Sequence, residues 1–206
     1  IFRALLVAMD NWATENIPPP ENQLPKSFDG TLVDFEDWKS QFPVIPRLVT
    51  PQEPNKLSLY DFGPETDRGI LEVLPPRRVD NSEYVIKVPS VDDDGNELAG
   101  VRVPMLNAPL ATYTGWNIRS KNFGEGAMHE FSGSTISFPE TNAIRLMTSD
   151  PRKSIKERYK DKEDYIKKVS DAASALIKQG FMLEEDFHRT IKLAQDWCTK
   201  RHDIRL

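Results

Sequence analysis

Around Gly115 the chain gathers groups that could grip a ligand. Tyr113, Trp116, Asn117 and Arg119 set two aromatic rings, an amide and a guanidinium within seven residues. Aromatic faces beside an amide and a planar guanidinium fork can hold a polar ligand or anchor an interface. The structural alternative weighs more: Trp116 in a core, with Asn117 and Arg119 tying down loop backbone. His129 stands in the glycine-rich run Gly124-Glu125-Gly126-Ala127-Met128-His129-Glu130 and is the one histidine placed like a site residue. A loop hydrogen bond is its weightier role. His188 reads as a surface position of a helix, and His202 lies near the terminus.

Asp92, Asp94 and Asn96 offer oxygen side chains at alternate positions, as calcium loops do. The glycine and bidentate glutamate that such a loop needs at its sixth and twelfth positions are replaced by Glu97 and Val103. A tight hairpin turn centred on Gly95 is therefore preferred to a weak cation site at Asp92, Asp94 and Asn96. No histidine has metal-ligand spacing, and the single cysteine, Cys198, forms no cluster and no internal disulfide. Gly124-x-Gly126 and Gly133-Ser134-Thr135 lack the remaining residues of phosphate-binding loops. No Gly-x-Ser-x-Gly elbow occurs, the nearest approach being Ser132-Gly133-Ser134. No cofactor is expected.

The elements that must position these groups fall on either side of Asp150. All 16 prolines lie at or before Pro151, and nine of the ten glycines precede Ser134. Residues 150–206 carry a net charge of +3 and the remainder −8. Two units are expected: 1–149, a helix with a proline-rich wrapping segment and a small β lobe, and 150–206, a helical subdomain. The fold class is α+β, with an extended, strand-poor segment, short strands and a closing helical hairpin.

In the first unit Leu5, Ala8, Met9 and Trp12 recur at helical spacing, and Pro18, Pro19 and Pro20 stop the helix. The stretch that follows, to about Pro54, is too apolar for a disordered linker and is expected to lie extended over a neighbouring surface. Strands are predicted at 56–62, 84–88 and 97–103, the last two forming a hairpin. In the second unit Asp150-Pro151 reads as a cap with a first-turn proline, and Ser154 with Glu157 as a capping box. Tyr165, Ile166, Val169, Ala172, Ala173, Leu176 and Ile177 mark a helix closed by Gly180. A last helix from about Glu184 carries Phe187, Ile191, Ala194 and Cys198 on one stripe, with Trp197 beside it.

The net charge of −5 gives no support to nucleic acid or an anionic membrane as partner. No apolar run approaches the ~20 residues of a membrane span. The apolar start, 1–9, is too short for an intact signal peptide. The first residues already read as the middle of a helix with no cap before them, so the chain is expected to be a fragment or processed form of something longer.

Motifs through nearly the whole length resemble one family. In order they are Arg3-Ala4-Leu5-Leu6 with Trp12, Pro18-Pro19-Pro20, Phe42-Pro43-Val44-Ile45-Pro46 and Tyr60-Asp61-Phe62-Gly63-Pro64. Next come Val88-Pro89-Ser90-Val91-Asp92, Asp94-Gly95-Asn96-Glu97 and Pro109-Leu110-Ala111-Thr112-Tyr113-Thr114-Gly115-Trp116-Asn117-Ile118-Arg119. Gly133-Ser134, Phe138-Pro139 with Thr141 and Arg145, Asp150-Pro151-Arg152-Lys153-Ser154 and Glu157-Arg158-Tyr159 complete the series. This pattern is similar to the C-terminal region of a large, mostly bacterial group of α/β-hydrolase-domain proteins, and the stretch from Pro109 to Arg119 is the specific part.

The resemblance implies an esterase-like parent with a parallel-rich sheet and a Ser, acid and His performing acyl transfer on a small-molecule ester. It places the histidine just before a helix like the one that opens this chain, so that all three catalytic residues lie upstream of Ile1. The partner is then the upstream hydrolase portion of the same protein, or a second chain. Tyr113, Trp116, Asn117 and Arg119 become wall or scaffold residues of the substrate cleft, and with His129 they are the candidate substrate-binding residues. Taken alone, the chain is expected to be poorly soluble or partly unfolded, because its opening stripe has no partner of its own. The alternative reading is a non-catalytic module that docks a partner through the aromatic loop and helical hairpin. The compartment stays open between cytoplasm, periplasm and exterior.

Overall fold

The computed structural model describes residues 1–202, and for Asn81 and 197–202 the backbone alone. The side chains of Trp197, Cys198 and His202 therefore lie outside the described residues.

Helix α1 (Phe2–Glu15) ends at Asn16, whose φ of 58° lets its N–H reach back to Asn11 and Trp12 before the three prolines. Short elements follow: β1 (Leu32–Asp34), α2 (Phe35–Gln41), β2 (Ser58–Asp61), β3 (Arg77–Glu83) and β4 (Lys87–Pro89). The site region contains α3 (Pro104–Asn107), β5 (Ala111–Thr114), β6 (Asn117–Ile118), β7 (Met128–His129) and β8 (Ser134–Ser137). The chain closes with α4 (Asn142–Thr148), α5 (Ile155–Arg158), α6 (Lys162–Lys178) and α7 (Phe187–His202). Among the described residues the strands form antiparallel pairs, β1–β4, β2–β3, β5–β8 and β6–β7. The architecture is α+β, with small antiparallel sheets and C-terminal helices.

Two apolar clusters hold these pieces. Trp38, Phe42, Ile45 and Val91 form one, with Val33, Phe35, Trp116 and Ile136 packed against it. Ala108, Leu110, Tyr159, Tyr165, Val169 and Ala194 form the other. The second cluster draws on residues from both sides of Asp150. Tyr159 reinforces that joint by donating its hydroxyl to the Pro109 carbonyl at 2.8 Å, and burial pushes its phenol far above the ordinary tyrosine range.

Several expectations hold. The Ser154–Glu157 capping box forms, α6 buries Tyr165, Val169, Ala172, Ala173 and Leu176 of the anticipated stripe and half-buries Ile166 and Ile177, and Gly180 closes it at φ +80°. Gly180 also leaves room for Pro20, whose Cγ would lie 2.8 Å from an added Cβ. The strand at 56–62 is present as β2.

Others are corrected. The stretch to Pro54 is not simply extended, because it folds into β1 and α2, whose Trp38 starts the aromatic cluster. Residues 97–103 form no strand. The hairpin closes through the Val91–Glu97 bridge and one bond from Leu98 to Ser90, and Gly100 at φ +88° then turns the chain away. Strand β4 begins at Lys87 rather than at residue 84 and pairs with β1 instead. Asp150-Pro151 does not open a helix. Thr141 caps α4, Ser149 ends it at φ 56°, and the next helix starts only after Ser154. The Asp150 carboxylate is instead held by Arg152.

Candidate functional site

The residues around Gly115 sit on two consecutive ribbons. Pairing of β5 with β8 places Tyr113 opposite Thr135 and Thr114 opposite Ser134. At the next step Thr114 locks the chain. Its hydroxyl donates to the Trp116 carbonyl at 2.6 Å and accepts the Ser134 N–H at 3.0 Å. Gly133 packs so closely that a Cβ there would fall 2.0 Å from the Thr114 oxygen. The β6–β7 ribbon grows from this root as a narrow arm. Asn117 faces His129 and Ile118 faces Met128. The Arg119 N–H donates to the Ala127 carbonyl at 2.9 Å to carry the arm outward.

Trp116 points into the molecule, half-buried, its ring centroid 6.0 Å from those of Trp38 and Phe42. Tyr113 is half-buried, and its N–H donates to the Asn96 side chain at 2.8 Å. Asn117 and Arg119 are exposed. The Asn117 side-chain oxygen accepts the N–H of Ile118 at 2.8 Å, which orders backbone and leaves the amide nitrogen outward. Trp116 thus packs on the aromatic cluster, while the Asn117 side chain and the Arg119 backbone bond neighbouring main chain. Tyr113 therefore lies on the β5–β8 ribbon, and Trp116, Asn117, Arg119 and His129 lie on or beside β6–β7.

His129 is half-buried, its Nδ1 3.2 Å from the Ser132 hydroxyl and its ring edge-on to Phe131 at 5.9 Å. A serine beside an imidazole is the beginning of a nucleophile–base pair. The contact here is local, three residues apart, and among the described residues no carboxylate lies at ion-pair distance from the ring. The group that would orient the imidazole is missing, so this pair lacks the third member of a triad. His188 is exposed beside Phe187, as expected. Phe123 is exposed in the loop at the arm's tip, and Phe131, 95% exposed, stands near its base between β7 and β8.

Asp92, Asp94 and Asn96 are each committed to protein partners. One Asp92 oxygen accepts the N–H groups of Asp94 and Asn96 at 3.0 and 2.9 Å, and the other meets Arg102 at 3.1 Å. Asp94 is gripped by both terminal nitrogens of Arg158. Asn96 is wholly buried, donating to the Ala111 carbonyl at 3.2 Å while accepting from Tyr113. The turn is thus a clasp on β5, with the Asp92 and Asp94 carboxylates paired to arginines. Among the described residues no cluster of three or more histidine, cysteine or carboxylate side chains could hold a metal ion.

A buried residue that sequence reasoning passed over ties the ribbons to the helices. Arg152 donates to both Asp150 oxygens, at 3.0 and 2.7 Å. It also donates to the Thr112 hydroxyl at 2.8 Å and to the Ile136 and Ser137 carbonyls at 3.0 and 3.3 Å. Thr112 in turn donates to the Asp94 carbonyl. Burial works to raise the Asp150 pKa, but the Arg152 hydrogen bonds and charge outweigh it and hold the carboxyl below the usual aspartate range. Phe138 lies between Arg152 and Arg158, at 5.1 and 4.1 Å. The signal was in the run Asp150-Pro151-Arg152, whose carboxylate and guanidinium stand two residues apart.

No curated protein and no solved structure matches the chain. A family model described as an alpha/beta hydrolase domain matches residues 1–192. Over nearly its whole length, then, the chain belongs to the alpha/beta hydrolase domain family.

Proposed function

We propose that this chain is the C-terminal portion of a serine hydrolase acting on a carboxylic ester or related acyl bond. The Ser, acid and His would come from an upstream portion of the same protein or from a second chain. The observation that carries this reading is the family match over a sequence with no nucleophile elbow. In such enzymes the serine attacks the acyl carbon, the leaving alcohol departs, and water releases the acid from the acyl-serine, with backbone donors holding the oxyanion.

The supporting structural feature is α1. It turns Ala4, Ala8 and Asn11 toward the molecule, while Phe2, Leu5, Leu6, Met9 and Trp12 face outward. A large apolar face left open on one side suits a helix that packs on a hydrolase core. The ribbons with Tyr113, Trp116, Asn117, Arg119 and His129 then form a wall beside the cleft, with residues 1–149 and 150–206 as its supporting lobes.

A second reading, the non-catalytic docking module, is favoured by the exposed Phe123 at the tip of the arm and the exposed Phe131 near its base. One experiment separates the two. The 206-residue chain and a longer protein including the upstream sequence are treated with a fluorophosphonate probe. Labelling of the longer protein alone, lost on replacing an upstream serine, is the expected result. No labelling of either would overturn the hydrolase reading and leave the docking module.

A further inference from the structure

We draw no further inference here: the strongest candidate, the open groove of about 590 Å³ between α6 and α7, floored by Ile166, Phe187 and Ile191, sets Lys162 and Lys167 beside Glu163 on its rim with Lys167 already paired to Asp171, so nothing in the structure shows what covers it.

Discussion

At the scale of single residues, Arg152 has the most to lose. Its guanidinium is almost wholly buried, and its donors meet a carboxylate, a hydroxyl and two strand carbonyls. A buried ion pair adds little stability over an apolar substitute, but removing one partner strands the other charge. Arg152→Met is therefore expected to cost about 3–5 kcal/mol, read by urea unfolding at neutral pH. A loss below about 1 kcal/mol would mean that Asp150 finds solvent or another cation. The pH dependence has a definite sign. The folded Asp150 pKa is depressed, so its contribution is fully present above the unfolded value of about 3.9 and is lost as pH falls through the folded value. The gap between wild type and Arg152→Met should accordingly narrow in acid and stay constant between pH 6 and 8.

At the scale of elements, the root of the β6–β7 arm depends on one close backbone approach. A Cβ on Gly133 would meet the Thr114 carbonyl oxygen, which is main chain and cannot swing aside. Gly133→Ala should destabilise by about 3 kcal/mol, the upper range for overpacking, and speed amide exchange across β5 and β8. Gly115→Ala is the control. Nothing stands within 4 Å of a Cβ there, so its stability should match the wild type within about 0.5 kcal/mol. Equal behaviour of the two variants would refute the idea that contact at Gly133 sets the arm.

The same elements show what a sequence makes legible. Helix α6 was readable because Tyr165, Ile166, Val169, Ala172, Ala173, Leu176 and Ile177 repeat at helical spacing, and all but the half-buried Ile166 and Ile177 end up buried. The capping box was readable because both partners lie within one turn. Strand β3 was not, since Arg77-Arg78-Val79-Asp80-Asn81-Ser82-Glu83 has little apolar alternation and is extended through its pairing with β2. Helix α2 was hidden among prolines and is fixed by Trp38 meeting Phe35, Phe42 and Trp116, a contact across almost 80 residues. At the site, the residue types around Gly115 were visible, but their direction was not. Whether Trp116 faces a ligand or a core is decided by Trp38, which no local pattern can reveal.

For the molecule as a whole, the decisive feature is the outward face of α1. Its inward face is small, with Ala4 buried, and Arg3 ties the helix end to Glu185 and Asp186 through exposed pairs worth little in water. Phe2, 90% exposed, and Leu6, Met9 and Trp12, 62%, 58% and 55% exposed, leave most of their apolar surface open in the 206-residue chain, and Leu5 leaves 38%. If the upstream portion covers this face, the apolar surface these side chains still expose is buried there, at about 25 cal/mol per Å². Leu6→Lys with Met9→Lys should thus leave the melting temperature of the 206-residue chain unchanged, or raise its solubility. In the longer protein the same pair should lower stability and weaken fluorophosphonate labelling, because the helix can no longer seat. Destabilisation of the short chain with no effect on the long one would place the partner of α1 within these 206 residues and remove the structural support for a covering hydrolase core.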